Sequence, residues 1–255
     1  MDNENRYGTL EMQQDLLVLL KAFHSHCKEY GIEYSLCSGS LLGAVRHGGF
    51  IPWDDDLDII MDRPNYYKLK ESFTPGGKMV FVNAYETGNW LDRVRLSDAV
   101  YRGDALPTLD VFILDVVPAN RFKERMKLFT VLLLQGMIKD TPSMDKGGVV
   151  MKAASVVTWI LGRPFSKKLK MRWYHEVAQW GKNNPAPEMG MWIDQFKGIS
   201  KRYPGDILSG FSEHPFEDTV ASVMNNFDGY LRTAYGDNYM TPPEKNDRVP
   251  IHMGV

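Results

Sequence analysis

Between Gly39 and Asp58 the chain reads Gly-Ser-Leu-Leu-Gly-Ala-Val-Arg-His-Gly-Gly-Phe-Ile-Pro-Trp-Asp-Asp-Asp-Leu-Asp, and Ile59-Ile60-Met61 follows at once. Four carboxylates in five positions beside an apolar run are unfavourable unless something cationic neutralises them. Side chains alternate along a strand, so Asp54, Asp56 and Asp58 share one face if the extended backbone starts early enough, and Asp56 with Asp58 do so while Leu57 and Ile59 enter a core. Asp56 and Asp58 then stand roughly 6.5–7 Å apart on that face. That spacing suits one divalent ion or two neighbouring ones.

The Gly-Ser turn ahead of this strand adds a second half to the site. A helix starting at Ser40 presents unpaired N–H groups, Gly39 permits close approach of an anion, and Ser40 offers a hydroxyl. Taken by itself the turn reads equally as an ordinary N-cap. Together, a phosphate at the turn and a metal at the acidic strand would hold a nucleotide's phosphates between them, a site that works by positioning and charge neutralisation. A third carboxylate is expected from a neighbouring strand. Asp110, flanked by apolar residues in Leu109–Leu114, leads Asp98 and Asp115, as a second metal contact or as general base. Arg46 and His47 either stabilise a helix C-terminus or contact phosphate.

The rest of the chain supplies the fold. Thr9 is placed to cap a helix carrying Leu16, Leu20, Phe23, Cys27 and Tyr30 at helical spacing, with Gly31 ending it. Strands are expected at Glu33–Cys37, Asp56–Met61, Met79–Ala84, Arg93–Leu96 and Leu109–Leu114, and helices at Leu41–Arg46 and from Pro64 to Phe73. Helical patterns then dominate Arg121–Lys139, Gly147–Leu161 and Ser166–Lys182, and one more covers Asn225–Tyr235. The fold class is α/β (α+β): a nucleotidyltransferase-like small mixed sheet with flanking helices, residues 1–118 with 204–255, plus a mainly helical lobe, 119–203.

Composition excludes several classes. The net charge of −2 argues against nucleic acid as a bulk partner, and two cysteines, Cys27 and Cys37, cannot build a disulfide framework or a thiol zinc site. They are expected reduced in the core. The acidic start Met1–Asn5 is unlike a secretory signal, and no apolar stretch reaches the roughly 18–20 residues that span a bilayer. The expected location is cytoplasmic, with peripheral attachment at the inner membrane face as an extension. The apolar segments Leu128–Leu134 and Val149–Leu161, flanked by Lys and Arg, are read first as the core of the helical lobe and second as a surface docking on anionic lipid.

At these residues the sequence resembles the LicD family, which includes the fukutin-related proteins. The matched run is Gly39–His47 and then Gly49–Asp58. Leu109–Phe112 with Leu114-Asp115, and Tyr235–Asp237 with Tyr239-Met240 and Pro242-Pro243, agree as well. Ser40 stands where Thr is commoner in that family, and Ile113 where Pro is usual. The resemblance implies metal-dependent transfer of a phospho-alcohol, phosphocholine-like, from a CDP-linked donor to a hydroxyl of a surface or capsular glycan, free or lipid-linked. It implies Mg²⁺, with Mn²⁺ as the alternative. It assigns Asp56, Asp58 and Asp110 to catalysis, and Asp54, Asp56, Asp58 and Asp110 to metal. Substrate contacts are expected from Gly39, Ser40, Arg46, His47, Trp53, Lys245 and Arg248, with His252 beside them in the tail. Aromatic side chains available to a quaternary ammonium include Tyr66, Tyr67, Trp90, Trp159, Trp173, Trp180 and Trp192. Rival readings are a nucleotidyltransferase that releases pyrophosphate, a glycosyltransferase using Asp-x-Asp, and a non-catalytic nucleotide-binding member of the fold.

Overall fold

The computed structural model describes residues 7–87, 90–144, 148–194 and 196–250. In chain order the elements are α1 (Leu10–Tyr30), β1 (Ser35–Leu36), α2 (Ser38–His47), β2 (Leu57–Asp62), α3 (Arg63–Ser72), β3 (Met79–Val82), α4 (Ala84–Thr87), β4 (Asp92–Leu96) and β5 (Leu109–Pro118). Then come α5 (Arg121–Ile138), α6 (Val149–Gly162), α7 (Lys167–Ala178), β6 (Pro185–Gly190), α8 (Phe196–Ile199), β7 (Tyr203–Pro204), β8 (Phe211–Phe216), β9 (Thr219–Met224) and α9 (Phe227–Tyr235). This is a mixed α/β protein. The chain divides into two compact units: Met1–Val82, Asp92–Ile113 and Asp206–Val255 form the first, Asn83–Leu91 and Leu114–Gly205 the second.

In the first unit the strands run in the order β1-β2-β5-β4-β3. β1 pairs antiparallel with β2, Ser35 facing Ile60, and β4 pairs antiparallel with β5, Arg93 facing Asp110. Leu57, Ile59, Ile60 and Met61 are fully buried, so the apolar run after the aspartates is the core of this sheet. α1 packs on it through Leu16, Leu20, Phe23 and Cys27, and ends where Gly31 takes φ +61° and returns its N–H to the Cys27 carbonyl. Cys27 and Cys37 are buried thiols that form no disulfide.

Two expectations are corrected here. Thr9 does not cap α1 with its side chain; its hydroxyl donates to the Pro52 carbonyl at 2.8 Å. Gln13, one turn on, donates to the carbonyls of Ile51 and Asp54 at 3.0 and 2.8 Å. The start of α1 therefore pins the loop that leads into the acidic strand. The second correction is the β8–β9 hairpin, absent from the sequence reading. Its two-residue loop is Glu217-Asp218, and Glu217 takes φ +52°, where hairpins usually place glycine. Pro215 inside β8 further masks the strand pattern. Glu217 holds its conformation by accepting from the Phe50 N–H at 2.8 Å and donating its own N–H to the Gly48 carbonyl at 2.8 Å.

The second unit is helical in its main part, with strands the sequence reading lacked. Leu114–Pro118 of β5 pairs antiparallel with β6, and β6 with β7. Pro185 and Pro187 hide β6 from pattern analysis. Lys127 is fully buried on α5; its Nζ donates to the carbonyls of Val116 and Trp180 at 2.7 and 3.1 Å and lies 4.1 Å from the Trp192 ring centre. Arg202 covers the same ring at 4.6 Å, so Trp192, one of the aromatics expected to serve a cationic head group, already has two protein cations on it. Val131, Leu134, Met137 and Ile138 of α5 form core, as expected. α6 does not: Gly162 is its one buried residue, which overturns the core reading of Val149–Leu161.

Candidate functional site

β2 begins at Leu57, one residue later than the expected start at Asp56, so Asp54, Asp55 and Asp56 lie in the loop ahead of it and Asp58 alone of the four lies within the strand. Asp55, Leu57 and Asp58 are buried, while Asp54 and Asp56 are part-exposed. Burial is the leading cause that lifts the Asp58 carboxyl well above the usual carboxylate range, followed by the charges of Asp56, Asp110 and Asp54. A hydrogen bond from the Ser38 hydroxyl works the other way. The four aspartates thus act on one another as a single negative cluster, with Asp58 at its buried centre.

Two cross-chain contacts position this cluster. The Ser40 hydroxyl is buried and accepts from the Asp58 N–H at 2.9 Å, tying the first turn of α2 to β2. The Cys37 N–H donates to the Asp58 carbonyl at 3.0 Å. Asp110 lies in a guanidinium fork: Arg93 Nε is 2.6 Å from its Oδ1, and Nη2 donates to Oδ2 at 3.0 Å. A fork that takes both oxygens leaves fewer lone pairs for a substrate proton, which favours a charge contact over a general base for Asp110.

At the α2 N-terminus the anion admitted by glycine is the protein's own. A Cβ on Gly39 would stand 2.5 Å from Asp54 Oδ2, so the Asp54 carboxylate occupies the space expected for a phosphate. Ser38, immediately before, is held at φ +48°. Among the described residues it and Glu217 are the non-glycine positions with positive φ, and both brace the ends of the segment that carries the site. Tyr235 closes α9 and is 48% exposed; partial desolvation, then the charges of Asp58, Asp54, Cys37 and Asp56, push its phenol upward.

The expected cationic and aromatic contacts gather at one rim. Arg46 donates to the Tyr239 carbonyl at 3.1 Å, and Asp54 and Tyr235 are among its electrostatic neighbours. Trp53 lies edge-on to His47 at 6.3 Å, with the Arg248 guanidinium 5.1 Å from its ring centre. Burial, Arg46 and Arg248 all lower the His47 imidazole below its ordinary value, disfavouring the charged form. The Lys245 side chain and His252 lie outside the described residues. Asp98 is exposed on a turn, and Asp115 is buried and belongs to the second unit.

Sequence reasoning missed Ser38, Arg93 and Tyr235. Arg93 was findable in principle as a cation in an alternating strand, but its partner depends on strand register. Nothing local marks Ser38.

Residues 31–112, which contain α2, the acidic strand, Arg93 and Asp110, match the family model described as LicD/FKTN/FKRP, nucleotidyltransferase domain. The chain is 29% identical over 258 aligned residues to the lipopolysaccharide cholinephosphotransferase LicD of Haemophilus influenzae, covering 95% of each chain. Over 71 residues, 23% of each chain, it is 54% identical to an uncharacterised protein of Rickettsia typhi. A 29-residue stretch is 62% identical to the human ribitol 5-phosphate transferase FKRP, covering 11% of this chain and 6% of that protein. The matched residues include Asp54, Asp56, Asp58 and Asp110.

Proposed function

We propose that this protein transfers a phospho-alcohol, phosphocholine-like, from a CDP-linked donor to a hydroxyl of a glycan. The observation that carries the reading is the setting of Asp58, buried with three further carboxylates acting on it. Two relatives support the class of group moved, since one is named for cholinephosphate and the other for ribitol 5-phosphate. The donor and the acceptor's chemistry are extensions of that likeness.

The carboxylates fit a divalent cation. Their oxygens are hard donors that suit Mg²⁺ first and Mn²⁺ second, and a cation would relieve the repulsion centred on Asp58. Among the described residues no three His, Cys, Asp or Glu side chains converge as a self-sufficient metal cage. A Mg²⁺ ion in a phosphoryl-transfer site takes one or two carboxylates and completes its shell with water and substrate phosphates. Asp56 and Asp58 would hold the ion, with Asp54 and Asp110 adjacent. When bound, it supplies charge neutralisation at the diphosphate and at the transferred phosphoryl oxygens. Arg46 and Arg248 would contact the donor phosphates, Trp53 and His47 would line the rim, and Gly39 and Ser40 act by placing Asp54 and Asp58.

The test is incubation with Mg²⁺, a panel of CDP-alcohols and a glycan acceptor, followed by measurement of CMP. Asp56→Ala and Asp58→Ala are each expected to abolish release while circular dichroism stays unchanged. Pyrophosphate from a nucleoside triphosphate would instead assign a nucleotidyltransferase. Nucleotide binding without turnover would assign a non-catalytic member of the fold.

A further inference from the structure

Helix α6 is built inside out. Ser155, Thr158 and Gly162, spaced along one side, face the protein: the Ser155 hydroxyl accepts from the Ser143 N–H at 2.7 Å, a Cβ on Gly136 of α5 would meet Thr158 Oγ1 at 2.1 Å, and one on Gly162 would meet the Met137 carbonyl at 2.2 Å. The opposite side carries Val150, Val157, Ile160 and Leu161, which are 82%, 55%, 55% and 52% exposed. An amphipathic helix of a soluble domain points its apolar stripe inward. On α5, Phe122, Met126 and Phe129 form a second exposed apolar stripe at helical spacing.

Charge selects among the surfaces that could cover this face. Between Ala119 and Arg172, twelve Lys or Arg stand against three Asp or Glu, in a chain whose net charge is −2, and of the twelve Lys127 and Lys170 are buried. The described acids in that stretch are already engaged, Glu124 with Arg202 and Asp140 with Lys167. Arg121, Lys123 and Arg125 surround Phe122 and Met126, and the exposed Arg163 follows α6. A second copy of the chain would set this positive surface against itself, so the occupant has to be anionic. No helix among the described residues is long and apolar enough to cross a membrane, and α6 spans 14 residues, a length suited to lying in an interface.

We propose that α6, with the exposed stripe of α5, docks on a lipid bilayer bearing anionic headgroups. The apolar outer face enters the headgroup–acyl boundary while the surrounding Lys and Arg pair with lipid phosphates. Docking needs neither donor nor acceptor, so it stands or falls separately from the reaction proposed above.

The experiment is co-sedimentation of the full chain with vesicles of phosphatidylcholine alone or mixed with phosphatidylglycerol. Binding to the mixed vesicles is expected to be at least tenfold tighter, and to weaken in 0.5 M salt. The double variant Val157→Asp, Ile160→Asp is expected to lose binding at least tenfold with an unchanged melting temperature, because both positions are exposed. Equal binding to both vesicle types, undiminished binding by the double variant, or a solution dimer that the same variant dissociates would each overturn the proposal.

Discussion

Asp58 sits buried among three other carboxylates, with the Ser38 hydroxyl as a counterweight, so its native-state charge is costly. Asp58→Asn keeps the shape and removes the repulsion. Its melting temperature in chelator is expected to rise above that of the parent, while CMP release falls by ~10²-fold or more. A parallel loss of both would show that Asp58 serves the fold and not the reaction. Gly39→Ala separates the two properties from the other side. The new methyl meets the tip of Asp54, a side chain able to swing away, so the variant should lose less than about 1 kcal/mol of stability in urea unfolding. Activity should fall at least tenfold, because the displaced carboxylate belongs to the cluster. The burial of Leu57, Ile59, Ile60 and Met61 behind the aspartates was legible from the apolar run itself, whereas strand alternation does not reach Asp54 and Asp56, which lie in the loop before β2. The Arg93–Asp110 fork was not legible, since its partners lie 17 residues apart and meet through strand register.

Element by element, local chemistry predicted most of the regular structure. The ends of α1 and α2 follow from Gly31 and Gly48, which take φ +61° and +71°, and α3 starts where the Asp62 side chain accepts from the Asn65 N–H. The β8–β9 hairpin shows where this stops. Its loop holds Glu217 at φ +52°, and the compensation comes from Phe50 and Gly48, far away in sequence. Glycine would relax that backbone by about 1 kcal/mol relative to alanine. Glu217→Ala should therefore be less stable than Glu217→Gly by about that amount in urea unfolding, although both lose the bond to the Phe50 N–H. Equal stability of the two variants would mean that the loop relaxes freely and does not brace residues 48–50.

At the scale of the whole molecule, buried ionisable groups set opposing pH responses. Burial is the leading cause that lowers His24, His26 and His47 below their ordinary value of 6.5. The unfolded chain then binds protons more readily, so their contribution is present above pH 6.5 and lost as pH falls through that value. Asp58 has the opposite sign: raised in the native state, it adds stability as pH falls through its native value toward the ordinary 3.8. Asp58→Asn removes that offset, and its metal-free melting temperature is expected to fall more steeply than the parent's on acidification. A shallower fall would contradict the assignment. What the sequence by itself determined was periodic and local: an acidic run ahead of a buried apolar run, the helix that precedes it, and the family those residues resemble. Alternation and turn chemistry operate over a few residues, and a linear pattern displays them in full. Only the tertiary structure decided that Asp54 fills the space at Gly39, that Arg93 holds Asp110, and that the apolar side of α6 faces outward. Each of these depends on which distant surfaces meet, and a hydrophobic residue reads the same whether it turns toward the core or away from it.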